Sequence, residues 1–121
     1  MPKLLIVDDE DDVREFGANF FRKRKVEVTT ASSGEEALII LQSKKFNLVL
    51  LDIKMSGIDG IETLRRIRET DKILKVVMVT GKKPDENDSL EACRQLGVSD
   101  YIHKPLELDE LEKVVMSSLK D

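Results

Sequence analysis

Cysteine, histidine, net positive charge and long apolar runs are what this chain has least of, and each scarcity removes a class of protein. The single cysteine, Cys93, excludes an internal disulfide and a cysteine zinc site, and it points to a reducing cytoplasm as the home of the chain. His103 is also the only histidine, too little for a histidine metal centre or a catalytic base. A formal net charge of −4 argues against a nucleic-acid grip, which needs clustered positive charge. No stretch approaches the roughly 20 apolar residues of a membrane span, and the apolar run after Lys3 is too short for a signal peptide. Linkers, repeats and low-complexity segments are missing too. At 121 residues the expectation is one domain over 1–121, large enough to bury a core.

What is present is an alternation of two patterns. Leu4-Leu5-Ile6-Val7, Leu48-Val49-Leu50-Leu51 and Val76-Val77-Met78-Val79 are continuous apolar runs of the kind that strands buried on both faces show. Val26 to Thr30 alternates as an edge strand would, and Asp100-Tyr101-Ile102 reads as a short last strand. Helical spacing separates them. Val13, Phe16, Phe20 and Phe21 form one face and are assigned to the core. Ser33-Gly34-Glu35-Glu36 fits a capping box ahead of Ala37, Leu38 and Leu41, and Asp59 caps a helix carrying Ile61, Leu64 and Ile67. Pro84-Asp85-Glu86 reads as a turn into a helix through Leu90, Cys93 and Leu96 that Gly97 ends, and a final helix packs Leu108, Leu111, Val114 and Val115. This order predicts a doubly wound α/β fold, a parallel sheet with right-handed crossovers and helices on both faces.

Four of the five strands end in residues able to do chemistry: Asp8 and Asp9, Asp52, Thr80, and Lys104 just past the fifth. Ligands bind beyond the carboxyl ends of strands in open α/β sheets. If the first and third strands are neighbours, the three aspartates crowd one volume, where two unit charges about 4 Å apart repel by roughly 4 kcal/mol at an effective dielectric near 20. Lys104 is one compensating cation, and Mg²⁺, which takes carboxylates, waters and phosphate oxygens, is the natural other. Such a site suits phosphoryl transfer to a carboxylate, with Asp52 as nucleophile forming an acyl phosphate. Thr80 has a hydroxyl able to donate to the new phosphoryl group and so bias a two-state loop.

With these residues in order, together with Ile53-Lys54-Met55, Gly57-Ile58-Asp59-Gly60, Gly97, Asp100-Tyr101 and Lys104-Pro105, the chain resembles the receiver domains of two-component response regulators over essentially its whole length. The resemblance implies a flavodoxin-like sheet of order 2-1-3-4-5, an order the doubly wound class illustrates with a member of this family. It also implies Asp52 as phosphoacceptor, and Mg²⁺ on Asp9, Asp52 and the Lys54 carbonyl, with Asp8 acting mainly through water. Lys104 would contact the phosphoryl group ahead of a cis bond to Pro105. Tyr101 would move with Thr80, changing the surface of the fourth helix, fifth strand and fifth helix. The implied partners are a histidine kinase or histidine phosphotransfer domain and an output protein or domain, with no direct nucleic acid and no membrane. The resemblance also implies that the fourth and fifth helices either form a homodimer or dock partners, with the oligomeric state left open.

Ser56 stands where a proline is usual, which loosens the loop after the acceptor without touching the chemistry. Lys54 and Lys82 occupy positions that tune phosphoryl lifetime in the family. Tyr101 reads equally as a core-edge aromatic. The run Arg22-Lys23-Arg24-Lys25 is read as a solvated helix end whose cations suit the dipole. An EF-hand loop lacks its glycine and distal glutamate, and the acids at 8–12 would repel a flavin phosphate. The enzymatic rival is an aspartate-nucleophile phosphatase of the haloacid-dehalogenase kind. It asks for an acid where Lys54 stands and for an inserted cap, so the expectation is a non-enzyme that supports only its own phosphoryl transfer and dephosphorylation.

Overall fold

The computed structural model describes residues 1–81 and 87–120, without the side chains of 87–90, so Lys82, the turn at Pro84 to Glu86 and the Leu90 side chain lie outside the described residues. The elements are β1 (Lys3–Val7), α1 (Asp11–Arg22), β2 (Glu27–Ala31), α2 (Gly34–Ser43), β3 (Leu48–Asp52), α3 (Gly60–Thr70), β4 (Lys75–Thr80), α4 (Asn87–Gln95), β5 (Asp100–His103) and α5 (Leu108–Leu119). The strands form one parallel sheet in the order β2-β1-β3-β4-β5. β3 is central and every residue in it is buried, as its unbroken apolar run requires.

Each face of the sheet has its own core. Leu4, Ile6, Leu48, Leu50, Val77, Val79 and Ile102 point to the side where α1 and α5 contribute Ala18, Phe21, Leu111 and Val115. The alternate residues Leu5, Val7, Val49, Leu51, Val76 and Met78 meet Ala37, Leu64, Ile67 and Cys93 from α2, α3 and α4.

Two core assignments are corrected. Phe16 is 45 % exposed and Leu108 is 50 % exposed. Gly17 lets α1 approach the sheet so closely that a Cβ there would sit 2.9 Å from the Ile6 Cδ1. The buried stripe is therefore Gly17, Ala18 and Phe21, and Phe16 is left at the rim, stacked on Phe20 with ring centroids 5.8 Å apart. On α5 the buried stripe starts at Leu111, one turn later than Leu108.

The caps follow the sequence with one shift. Asp59 Oδ1 accepts the Glu62 N–H at 2.8 Å, and Ser33 Oγ accepts the Glu36 N–H at 3.0 Å. The return bond of the capping box reaches one residue further back, where Glu36 Oε1 accepts from the Ser32 N–H at 2.6 Å. Gly97, at φ +75°, ends the fourth helical segment as expected. That end is fastened from outside by Arg68 of α3, which donates to the carbonyls of Leu96 (2.7 Å) and Gly97 (3.1 Å). Across the other face, Arg24 lies 3.7 Å over the Phe20 ring and donates to Glu112 at 2.7 Å, tying the end of α1 to α5. Among the described residues no helix is long and apolar enough to cross a membrane.

Candidate functional site

Register alone brings the polar strand ends together. Val7 pairs with Leu51, so Asp8, the next residue, comes level with Asp52. Asp52 pairs with Val79, placing Thr80 one step beyond, and Thr80 pairs with His103, placing Lys104 one step beyond again. Asp8, Asp52 and Thr80 are all buried, at 2 %, 2 % and 1 % exposure. Lys104 Nζ reaches back across the sheet to Asp52 Oδ2 at 3.3 Å, and to Glu10 Oε1 at 3.5 Å. The Lys104-Pro105 peptide is cis.

The loops after β1 and β3 supply the rest. Asp8 Oδ1 accepts the Glu10 N–H at 2.9 Å, and the Asp8 carbonyl accepts from Arg14 Nη1 at 2.7 Å, which secures the turn into α1. Asp52 Oδ1 accepts the Lys54 N–H at 3.3 Å. Asp9 Oδ2 accepts the Ser56 N–H at 3.3 Å. Gly60 is the residue that lets α3 start against the acceptor strand, because a Cβ there would stand 2.2 Å from the Asp52 carbonyl oxygen. Gly57 takes φ +75°, a left-handed turn that glycine adopts without strain, and its neighbour Ile58 donates its N–H to Glu35 Oε2 at 3.3 Å.

Electrostatics report the crowding. Burial pushes the Asp8 carboxyl up to about 6, against the opposing Glu10 amide and with help from the Asp52 charge. Burial also raises Asp52; Lys104 opposes it and Asp9 adds to it. For Lys104, burial disfavours the ammonium, but the carboxylates of Asp52 and Asp8 outweigh it and hold its pKa above the ordinary lysine value. Among the described residues, the buried Asp52 carboxylate faces one ammonium, that of Lys104, and two further acids, Asp8 and Asp9.

Asp8, Asp9 and Glu10 each offer an oxygen within 4.8 Å of the others, a hard, all-oxygen donor set of the kind that suits Mg²⁺. Glu10 was not singled out by the sequence, where it is one acid among five from 8 to 12; its bond to Lys104 sets it apart. Lys54 is exposed with its amide turned to Asp52. Tyr101 is half-buried against the α4 side of the core, and its hydroxyl is raised by burial and then by Cys93. Lys82 lies outside the described residues.

A five-stranded 2-1-3-4-5 sheet with acids at the ends of β1 and β3 and a lysine after β5 defines the receiver class of signalling proteins. Residues 4–116 match the response regulator receiver domain family, and the chain belongs to it. It is 34 % identical over 117 residues to sporulation initiation phosphotransferase F of Bacillus subtilis, covering 97 % of this chain and 93 % of that protein. It is also 34 % identical to the transcriptional regulatory protein AfsQ1 of Streptomyces coelicolor, of which it spans 52 %. Among solved structures, the response regulator TrrA of Thermotoga maritima in complex with Mg²⁺-BeF superposes with a TM-score of 0.84 at 34 % identity, covering 98 % of this chain and 99 % of that one. TrrA has also been solved in complex with the histidine kinase ThkA, with a TM-score of 0.85 to this chain. Nothing found supports the phosphatase alternative.

Proposed function

We propose that this receiver domain, residues 1–121, switches by taking a phosphoryl group on Asp52. The observation that carries the reading is the Asp52 carboxylate, buried at the end of β3 with Lys104 Nζ 3.3 Å away and Asp8 level with it on β1. One carboxylate oxygen of Asp52 attacks phosphorus, forming an acyl phosphate, while the bond from phosphorus to the donor's imidazole nitrogen breaks and that nitrogen keeps the electron pair. Lys104 stabilises charge on the transferring oxygens. Asp9, Asp52 and the Lys54 carbonyl would hold Mg²⁺, with Asp8 mainly through water, and the ion would supply positive charge to this acid-rich pocket.

Thr80 donates its hydroxyl to the new group, and Tyr101 follows, altering the α4-β5-α5 surface. Lys54 and Lys82 set how fast water attacks the acyl phosphate. The complex of TrrA with a histidine kinase supports a histidine kinase or histidine phosphotransfer domain as donor, with an output protein or domain reading the switched surface. The chain works in the cytoplasm without direct nucleic-acid or membrane contact, dimerises through α4 and α5, and is not an enzyme beyond its own phosphorylation and dephosphorylation.

Incubation with a small acyl-phosphate donor and Mg²⁺ tests the reading. One phosphoryl group per chain is expected by intact mass, with none in Asp52→Asn and none without Mg²⁺. Labelling that survives Asp52→Asn, or sustained turnover of phosphate esters, would refute it.

A further inference from the structure

The loop after the acceptor strand is tied down on two sides. Asp9 Oδ2 accepts the Ser56 N–H at 3.3 Å, and Glu35 Oε2 accepts the Ile58 N–H at 3.3 Å, with the left-handed Gly57 between them. The first tie depends on the residue type at 56. A proline there, as the family resemblance leads one to expect, has no N–H to donate. Serine therefore fastens the loop where the sequence led one to expect loosening, because its backbone joins the loop to a residue of the acid cluster.

Asp9 has reason to turn toward that amide. Its charge adds to the crowding felt by Asp52, and a charge-assisted bond to a backbone N–H relieves part of the repulsion. A cation bound among the acids would relieve the same repulsion and would draw on the same carboxylate.

We infer that the Ser56 N–H and Mg²⁺ compete for the Asp9 carboxylate, so that metal loading by itself releases one side of the β3–α3 loop before any phosphoryl group arrives. Glu35 keeps hold of Ile58, and the released segment turns about Gly57. Ser56 is thus a positioning residue that couples occupancy of the metal site to the shape of the loop beside the phosphoacceptor. The inference rests on the metal reading above and adds a cost to metal binding that is particular to this sequence.

Mg²⁺ affinity, measured by calorimetry on wild type, Ser56→Ala and Ser56→Pro, tests the coupling. Ser56→Ala keeps the amide and should bind as wild type does. Ser56→Pro deletes the amide and should bind about three- to tenfold tighter, the net worth of one ordinary hydrogen bond. Wild-type protein supplies a second readout that needs no variant: on titration with Mg²⁺ the Ser56 amide proton should move upfield and exchange faster while that of Ile58 stays protected. Equal affinities in all three proteins, a shift in Ser56→Ala as large as in Ser56→Pro, or a Ser56 amide indifferent to Mg²⁺ would each overturn the inference. Failure of all three proteins to bind Mg²⁺ would overturn it together with the metal reading.

Discussion

The two ends of the sheet are built from the same parallel ladder and treat polar groups in opposite ways. At the amino ends of the strands, Asn47, Asp71 and Lys75 spend their polar side chains on backbone groups. Asn47 Oδ1 accepts the Lys3 N–H at 2.7 Å while the Asn47 N–H donates to the Lys3 carbonyl at 2.8 Å. Asp71 Oδ1 accepts the amides of Ile73 and Leu74, and Lys75 donates to the carbonyls of Ser118 and Lys120. An open groove of about 940 Å³ lies there, with Leu38, Leu41, Phe46 and Ile67 in its lining, and it holds none of the candidate site residues. At the carboxyl ends, acids are buried together, and burial first, then the charge of neighbouring acids, makes Asp8 and Asp52 both harder to ionise. The difference separates fastening from function: one end spends its polar groups on holding the chain, and the other stores repulsion that a ligand can relieve.

Substitutions at each end should therefore behave differently. The largest effect is expected at Gly60. An added methyl would stand 2.2 Å from the Asp52 carbonyl oxygen, backbone that cannot yield cheaply, so Gly60→Ala should cost about 3 kcal/mol in urea unfolding and displace the acceptor. Wild-type stability in Gly60→Ala would show that the two segments are not pressed together.

A smaller effect should appear with pH in the presence of a chelator. Asp8 is raised to about 6 in the folded chain, so the folded state holds its proton more tightly than the unfolded one. That contribution is complete below the ordinary aspartate value and is lost as pH rises through about 6. Melting temperature should fall between pH 5 and pH 7, by up to about 1 kcal/mol of stability per pH unit at the steepest point, and Asp8→Asn should flatten the slope. Mg²⁺ should restore stability at pH 7 more than at pH 5. A profile in chelator that rises over this interval would contradict the burial of Asp8 beside a second acid.

The smallest effect belongs to the fastened end. Asn47→Ala removes one accepted bond at the edge of β1 and should cost about 1 kcal/mol, with Mg²⁺ affinity and phosphoryl labelling unchanged. A loss of labelling in that variant would erase the distinction between the ends.

Most of the fold was legible because buried parallel strands write themselves as unbroken apolar runs, and β1, β3 and β4 do so. The strand ends were legible for a related reason. A polar residue that closes an apolar run has to stand at the sheet's edge, and parallel pairing brings such edges into one row. What periodicity missed is set by neighbours rather than by type. Phe16 and Leu108 have core-like spacing, yet a glycine at 17 and a late-starting stripe on α5 turn them outward. Glu10 is indistinguishable from its acidic neighbours until Lys104 selects it. The Ser56 amide is signalled only by the missing proline, and its bond to Asp9 is set by the fold, since every residue but proline has such an amide.

Arg68 leaves a mechanical consequence. A helix of nine residues is about 13 Å long, and one foot of this one is pinned by a guanidinium reaching over from α3. A rod held by two hydrogen bonds at its base slides less readily than it tilts, with the pivot at the anchor and the greatest travel at the far tip. A message carried by α4 would then be written more easily as an angle than as a displacement.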